Sequence, residues 1–535
     1  LTAAANTTLL LGRTVTSLSN NITLNGAVTV AFDTNVDYLV VGGGGGGGGD
    51  NGGGGGGVGV LMGSSSLGNA SYAITVGTGG TAGSSLTADL PGGTGASSSL
   101  GSVATALGGG GGAAGDTAAS AAAQVGGSGG GGSGESKPTG AAGTVGQGFA
   151  GGSGSASASG SGGGGGGAGG AGTNGTNASS PGNGGVGLAS TITGSTQYFG
   201  GGGGGAPDNT IAITAGFGLG GLGGGGAGRQ GGTATSGTAN TGGGGGGVAY
   251  NGSSSYAGAG GSGIVVVRYL GGTASSGGTV ASGTGSATGY TLQTFTTTGA
   301  STLTFNSMAA TFSGNITGSG ALTANPSGNG KFTFTGTNAY GSTTLSAGTL
   351  QVGTGSAAGS LGLTTAAVIN NGSLIFNRSD ALTYTGAFSG TGSLTVATGG
   401  LNLNGGATYS GATVLSADAA APTSIAYNFN VPPITSGFSG YGAVTIAPAA
   451  NSSFTSAFTP SYNYASTLTG LTLGSATNTQ DITLGSAISI NGPITVDAGQ
   501  VSFGSSLEST KANADITIRA KTNIINSALT TLTTA

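Results

Sequence analysis

The sequence predicts an all-β protein in two parts: a glycine-rich module of packed polyglycine II helices framed by β-strands, followed by β-strand repeats forming a β-solenoid, with a β-sandwich as the alternative. Three observations carry this reading. Most of the 130 glycines lie between Gly42 and Gly261, with unbroken runs at Gly42 to Gly49, Gly52 to Gly57, Gly162 to Gly167 and Gly242 to Gly247. Segments rich in β-branched and aromatic residues bracket that region, Val36 to Val41 before it and Ile264 to Tyr269 after it. Beyond Leu270, apolar and polar residues alternate between Gly, Asn and Asp turns, which is the period of half-buried strands.

Composition narrows function before any motif is considered. At 535 residues the chain is long enough for several domains. Only 4% of residues are charged and the net charge is -4, against about 25% charged residues in an ordinary soluble protein. A chain this poor in Lys and Arg has no electrostatic footprint for nucleic acid. The strongest apolar run, Gly263 to Leu270, is far shorter than a bilayer-spanning helix. Cysteine and histidine are absent, which removes disulfides, thiol chemistry, the usual zinc sites and the commonest general base. The sequence opens at Leu1 and still reads as strand from Ser527 to Ala535, so we expect a removed leader or an upstream start, and a chain that continues.

The glycine runs are pure and recur between segments able to pack, Tyr72 to Val76, Thr191 to Phe199 and Ile211 to Phe217, whereas flexible linkers mix Gly with Ser or charge. Without Cβ atoms, extended threefold helices can lie side by side and hydrogen-bond laterally. Many such bonds are needed, because each Gly costs about 0.5–1 kcal/mol of extra backbone entropy relative to Ala.

Tyr38-Leu39-Val40-Val41 running into Gly42 to Gly49, and Gly260-Gly261-Ser262-Gly263-Ile264-Val265-Val266-Val267-Arg268-Tyr269 at the far end, resemble the opening and closing signatures of the glycine-rich domain of phage tail-fibre and bacterial cell-surface proteins. Ala239-Asn240-Thr241 before Gly242 to Gly247 matches as well. The resemblance implies a rigid tip or spacer, with recognition in the loops that join the glycine helices.

Downstream, Gly271 to Gly289 reads as a connector, and Tyr290 to Phe305 as strands with Leu292, Phe295, Leu303 and Phe305 inward. From about Thr311 a unit is written twice: Ser313 to Thr323 matches Thr385 to Thr395, and Phe332 to Gly336 with Tyr340 matches Leu401 to Gly405 with Tyr409. With Ser346-Ala347-Gly348-Thr349-Leu350-Gln351-Val352 at its end, this block resembles the autotransporter-associated β-strand repeat of secreted bacterial adhesins. From Leu468 to Ile525 the alternation at Ile482/Leu484, Ile488/Ile490, Ile494/Val496, Val501/Phe503 and Ile516/Ile518 resembles filamentous-haemagglutinin-like repeats, as expected of stacked coils. The chain is thus divided into an N-terminal β segment at 1–36, offered as a strand for pairing with a neighbouring subunit; the glycine-rich domain at 37–270; a connector and strands at 271–310; autotransporter-like β-strand repeats at 311–420; and adhesin-type β repeats at 421–535.

Candidate chemistry is sparse. The 13 acids are scattered singly along the chain, which does not suit a carbohydrate-cleaving pair, and no enzyme is expected. The poly-Gly runs lack the Gly-Lys-Ser/Thr ending of a phosphate-binding loop. No cofactor is expected; calcium is the one ion worth weighing, at Asp50-Asn51 and Asp208-Asn209, and both pairs read as Asx turns instead. Tyr198, Tyr250 and Tyr256 are the candidates for stacking on sugars, with packing over glycine as the structural reading. Arg268 is expected to pair with a nearby acid or to cap exposed carbonyls. Asn-x-Ser/Thr triplets, among them Asn21-Ile22-Thr23 and Asn315-Ile316-Thr317, are what chance gives in so polar a chain.

These readings point to an extracellular, non-catalytic bacterial adhesin or surface-fibre protein. Its partners would be host or neighbouring cell surfaces, glycans or abiotic surfaces, and a homo-oligomer or filament. The alternatives are a self-assembling subunit of a filament, sheath or surface layer, and a phage tail-fibre adhesin.

Overall fold

The computed structural model describes residues 2–534 apart from 5, 12–16, 33, 86–88, 116–120, 158–159, 209–215, 252–254, 271–274, 306–307, 327, 432–435 and 528–531. Among the described residues it is strand, extended chain and turns, with a short 3-10 turn at Gly285–Ala287 and no α-helix. Contacts divide the chain into two units, Leu1–Asp33 with Asn306–Ala535, and Thr34–Phe305.

The first unit is a β-solenoid. Its longest sheet stacks Ser17–Leu18, Ala309–Phe312, Lys331–Phe334, Thr349–Val352, Ser373–Tyr384 and Ser393–Leu403, and continues to Ile516–Ala520. A second sheet stacks Thr7–Leu11, Val28–Phe32, Leu322–Asn325, Thr343–Leu345, Val368–Asn370 and Phe388–Ser389. Strand pairing here is parallel, coil upon coil, which overturns the sandwich alternative, since sandwich strands pair mainly antiparallel.

The period-two pattern now has a direct cause. Phe312, Phe334, Val352, Phe376 and Val396 are register partners in successive coils and all are buried, while Thr311, Thr333, Ile375 and Thr395 beside them are partly exposed. Ile482/Leu484, Ile488/Ile490, Ile494/Val496 and Val501/Phe503 are likewise buried pairs.

The N-terminal segment belongs to this stack. Val28–Phe32 lies between Thr7–Leu11 on one side and Leu322–Asn325 on the other, and Ile22 pairs with Ile316. Both edges of Val28–Phe32 are therefore occupied within the chain, while Thr7–Leu11, the end strand of its sheet, pairs on one side only among the described residues. Asn21 Oδ1 accepts the Asn315 N–H, and Asn315 Oδ1 accepts the Thr337 N–H. The Asn-x-Thr triplets attributed to chance are thus one corner device repeated in successive coils.

The two copies of the downstream repeat are used in different places. Leu322 lies in the six-stranded sheet and its sequence counterpart Leu394 in the long one. A short Gly-x-Leu-Thr pattern fits any corner followed by a strand, so similarity alone does not set which sheet it enters.

The second unit, Thr34–Phe305, is inserted where one coil would pass from the six-stranded sheet to the long sheet. Elsewhere that corner is short, as between Val368–Asn370 and Ser373–Tyr384. Two antiparallel sheets form its framework, one centred on Ile264–Leu270 between Thr34–Val41 and Tyr290–Phe295, the other on Ser71–Val76 between Ser98–Leu100 and Gly299–Phe305. They meet across Val36, Val40, Ile74, Val265, Phe295 and Phe305. Leu292, Phe295, Leu303 and Phe305 are inward as expected, but their strands complete this framework, so much of 271–310 belongs with the glycine-rich part.

Where the framework strands lose their side chains they continue as extended glycine runs bonded sideways to their neighbours. Gly43, Gly46 and Gly49 donate to the carbonyls of Ala96, Gly93 and Leu90; Gly44 and Gly47 to Gly261 and Gly258; Gly45 and Gly48 to Gly56 and Gly53. In return the N–H groups of Gly109, Gly112 and Gly115 reach Gly43, Gly46 and Gly49, those of Gly80 and Gly83 reach Gly44 and Gly47, and those of Gly245 and Val248 reach Gly45 and Gly48. All of these bonds measure 2.8–3.2 Å. Every third residue thus faces the same neighbour, and one run has six neighbours, three that accept and three that donate.

This register explains why the runs are pure. A Cβ on Gly44, Gly47 or Gly55 would lie well inside contact distance of the carbonyl oxygens of Gly243, Gly246 and Gly45. Gly47→Ala is expected to lower the stability of this unit by about 1–3 kcal/mol, whereas Gly216→Ala, where a Cβ finds only an ordinary 3.8 Å neighbour, leaves it unchanged in thermal unfolding. In the solenoid, the buried Phe332 ring packs on Phe32 at 4.7 Å and Phe312 at 5.4 Å, so it joins coils on either side of the insertion. Phe332→Ala should cost about 3–5 kcal/mol in denaturant unfolding.

Candidate functional site

The glycine lattice has two ends. At the near end the runs meet the framework strands, where Val41, Val58, Val60, Phe199 and Ile264 form an apolar cluster. At the far end the chain turns from Gly49 to Gly52, beside Gly134, Ala206 and Val248, whose N–H groups bond the carbonyls of Asn51, Gly52 and Gly48.

The three tyrosines singled out from the sequence do not form one platform. Tyr198 sits in a hairpin opposite Ala189, next to Phe199 of the near-end cluster. Tyr250 follows Val248 at the far end, and Tyr256 pairs with Ser84 in the same region, beside the Ser85 hydroxyl that accepts the Asp50 N–H. All three rings are exposed.

The far end also gathers acids that are widely separated in the chain. Asn51 Nδ2 donates to Glu135 Oε1 at 3.0 Å and to Asp208 Oδ2 at 3.3 Å. Asn51 and Asp208 are fully buried, and Asp50 and Asn51 both hold left-handed backbone, φ 46° and 45°. Burial, and then the charges of Asp50, Asp208 and Asp89, push the Glu135 carboxyl up to about 7, with the Asn51 hydrogen bond acting in the opposite sense. The fold therefore joins the two Asx sites noted in the sequence. It adds Glu135, which stood alone in the sequence with only its place between Gly134 and Ser136 to mark a turn. Asn209 and most of Ile211 to Phe217 lie outside the described residues.

Elsewhere, Arg268 Nε bonds Asp37 Oδ2 at 3.0 Å, and the guanidinium lies 4.8 Å from the centre of the Tyr290 ring. It borders an open groove of about 470 Å³ lined by Asn35, Asp37, Ser64, Leu270 and Tyr290. Ser64 Oγ donates to Asp37 and Ser66 Oγ to Asn35, so these polar groups are engaged with one another. Among the described residues, no three acidic side chains are arranged as a ready metal shell, and no helix is long and apolar enough to cross a membrane.

The chain thus combines a β-solenoid with a backbone-bonded glycine module. In agreement, residues 22–270 match the family model of the glycine-rich domain. The chain is also similar to the Adhesin BmaC autotransporter of Brucella suis biovar 1 (strain 1330), 51% identical over 55 residues, a stretch that is 10% of this chain and 2% of that protein.

The Glu135 carboxyl sets a pH dependence. Its folded value lies above the usual 4.5, so the folded unit keeps this proton where the unfolded chain has lost it. The resulting stabilisation is fully present below about 4.5, declines as pH rises towards 7, and is gone above it. Chemical denaturation at stepped pH should show this slope, and Glu135→Gln should remove it.

Proposed function

We propose that this chain is part of an extracellular bacterial adhesin in which the solenoid is the stalk, the glycine-rich unit is a rigid polyglycine II element, and the loops at its far end make the attachment. The reading is non-catalytic, with cell-surface glycans or abiotic surfaces as the targets. One observation carries it: the module interrupts a solenoid whose coils pair across the interruption, Val28 with Leu322 and Phe32 packed on Phe332. A mere spacer has no need of such a placement, whereas an element added to a continuous stalk does. The rigidity follows from six-neighbour bonding of the glycine runs, and the exposed Tyr250 and Tyr256 supply aromatic surface at the far end.

Replacing 34–305 by a short Gly/Asn corner tests the assignment. The shortened chain should retain its β circular dichroism and cooperative unfolding, and should lose binding to cells, glycan arrays or polystyrene. Attachment undiminished in a folded deletion variant would overturn the role given to the module.

A further inference from the structure

The far end of the glycine lattice concentrates negative charge in a chain that has almost none. Four of its 13 acids, Asp50, Asp89, Glu135 and Asp208, lie close enough for the other three to act on Glu135. They arrive on separate turns, and the contact between Asn51 and Asp208 closes a sequence separation of 157 residues.

At the centre stands Asn51. Its Nδ2 lies between the Glu135 and Asp208 carboxylates, while its Oδ1, fully buried, has no hydrogen-bond partner among the described residues. A half-turn of the amide exchanges the two atoms and places an oxygen 3.0 and 3.3 Å from the two carboxylate oxygens. Such a set is repulsive by itself and becomes favourable with a cation among the three. Neighbouring oxygens around calcium, at about 2.3–2.6 Å from the ion, are roughly 3 Å apart, which is the spacing found here.

We propose that the far end of the lattice binds one calcium ion through Glu135, Asp208 and the turned side chain of Asn51, with water completing the shell. Hard oxygen donors without nitrogen or sulfur select calcium or magnesium over transition metals. A partial, irregular oxygen set suits calcium, since magnesium demands a near-ideal octahedron. Bound there, the ion ties the turns at 49–52, 133–137 and 206–208 together and fixes the loops assigned to attachment. The proposal deepens the adhesin reading but is measured without any attachment assay, so either can fail alone.

Isothermal titration of the full chain with CaCl₂ at low ionic strength, with MgCl₂ as a second arm, should give one calcium site and weaker magnesium binding. Glu135→Gln and Asp208→Asn should each weaken it at least tenfold. Asn51→Gly, which tolerates the left-handed backbone, should do the same. In the unaltered protein, calcium should slow amide exchange from Gly49 to Gly57 relative to EDTA, a readout that does not depend on the variants folding. The proposal is overturned if calcium gives neither heat nor added protection at millimolar concentration, or if a folded Glu135→Gln variant binds it as well as the parent.

Discussion

The structure of the glycine-rich unit depends on one constraint: its amides bond sideways to other segments instead of along their own chain. A helix satisfies its backbone internally and a sheet through two edges, but the run Gly42 to Gly49 distributes its bonds over six neighbours. That is possible only while no side chain separates the backbones, as the carbonyls facing Gly44, Gly47 and Gly55 show. Buried backbone is here what buried Leu and Val are in an ordinary domain, and the larger apolar clusters lie in the strand framework and at the near end, with a small one of Ala234, Val248 and Ala257 besides.

The two units solve the same problem with opposite means. In the solenoid, side chains fill the interior as ladders, Phe312 over Phe334 over Val352, and main-chain bonds join coils along the stack. In the glycine-rich unit the main chain is itself the interior. Low charge is compatible with both, because Thr, Ser and Asn hydrate the outward positions, and Asn21 and Asn315 add side-chain bonds between coil corners.

Much of this was legible in the residues. Glycine runs report their packing directly, and Val36 to Val41 and Ile264 to Tyr269 do pair, Val41 opposite Ile264. Strand alternation foretold the buried pairs of the C-terminal coils. The insertion was missed, although a signal existed: Ser19-Asn20-Asn21-Ile22-Thr23-Leu24-Asn25-Gly26-Ala27-Val28-Thr29 is another copy of Ser313 to Thr323. The long glycine-rich segment between the copies hid a relation that the sheets make plain, Ile22 on Ile316 and Val28 on Leu322. The acidic far end was less accessible still. Its members are singletons in sequence, and only the lattice register brings Asn51 to Glu135 and Asp208.

The interrupted coil also governs the order in which the molecule is assembled. Val28–Phe32 emerges early, yet the strand that covers its open edge, Leu322–Asn325, follows only after the whole glycine-rich segment. Closing so large a loop is entropically slow unless the intervening segment has already become compact. Maturation of the opening coil is thus gated by the glycine lattice, and a chain stalled there would present an unpaired strand edge to its neighbours.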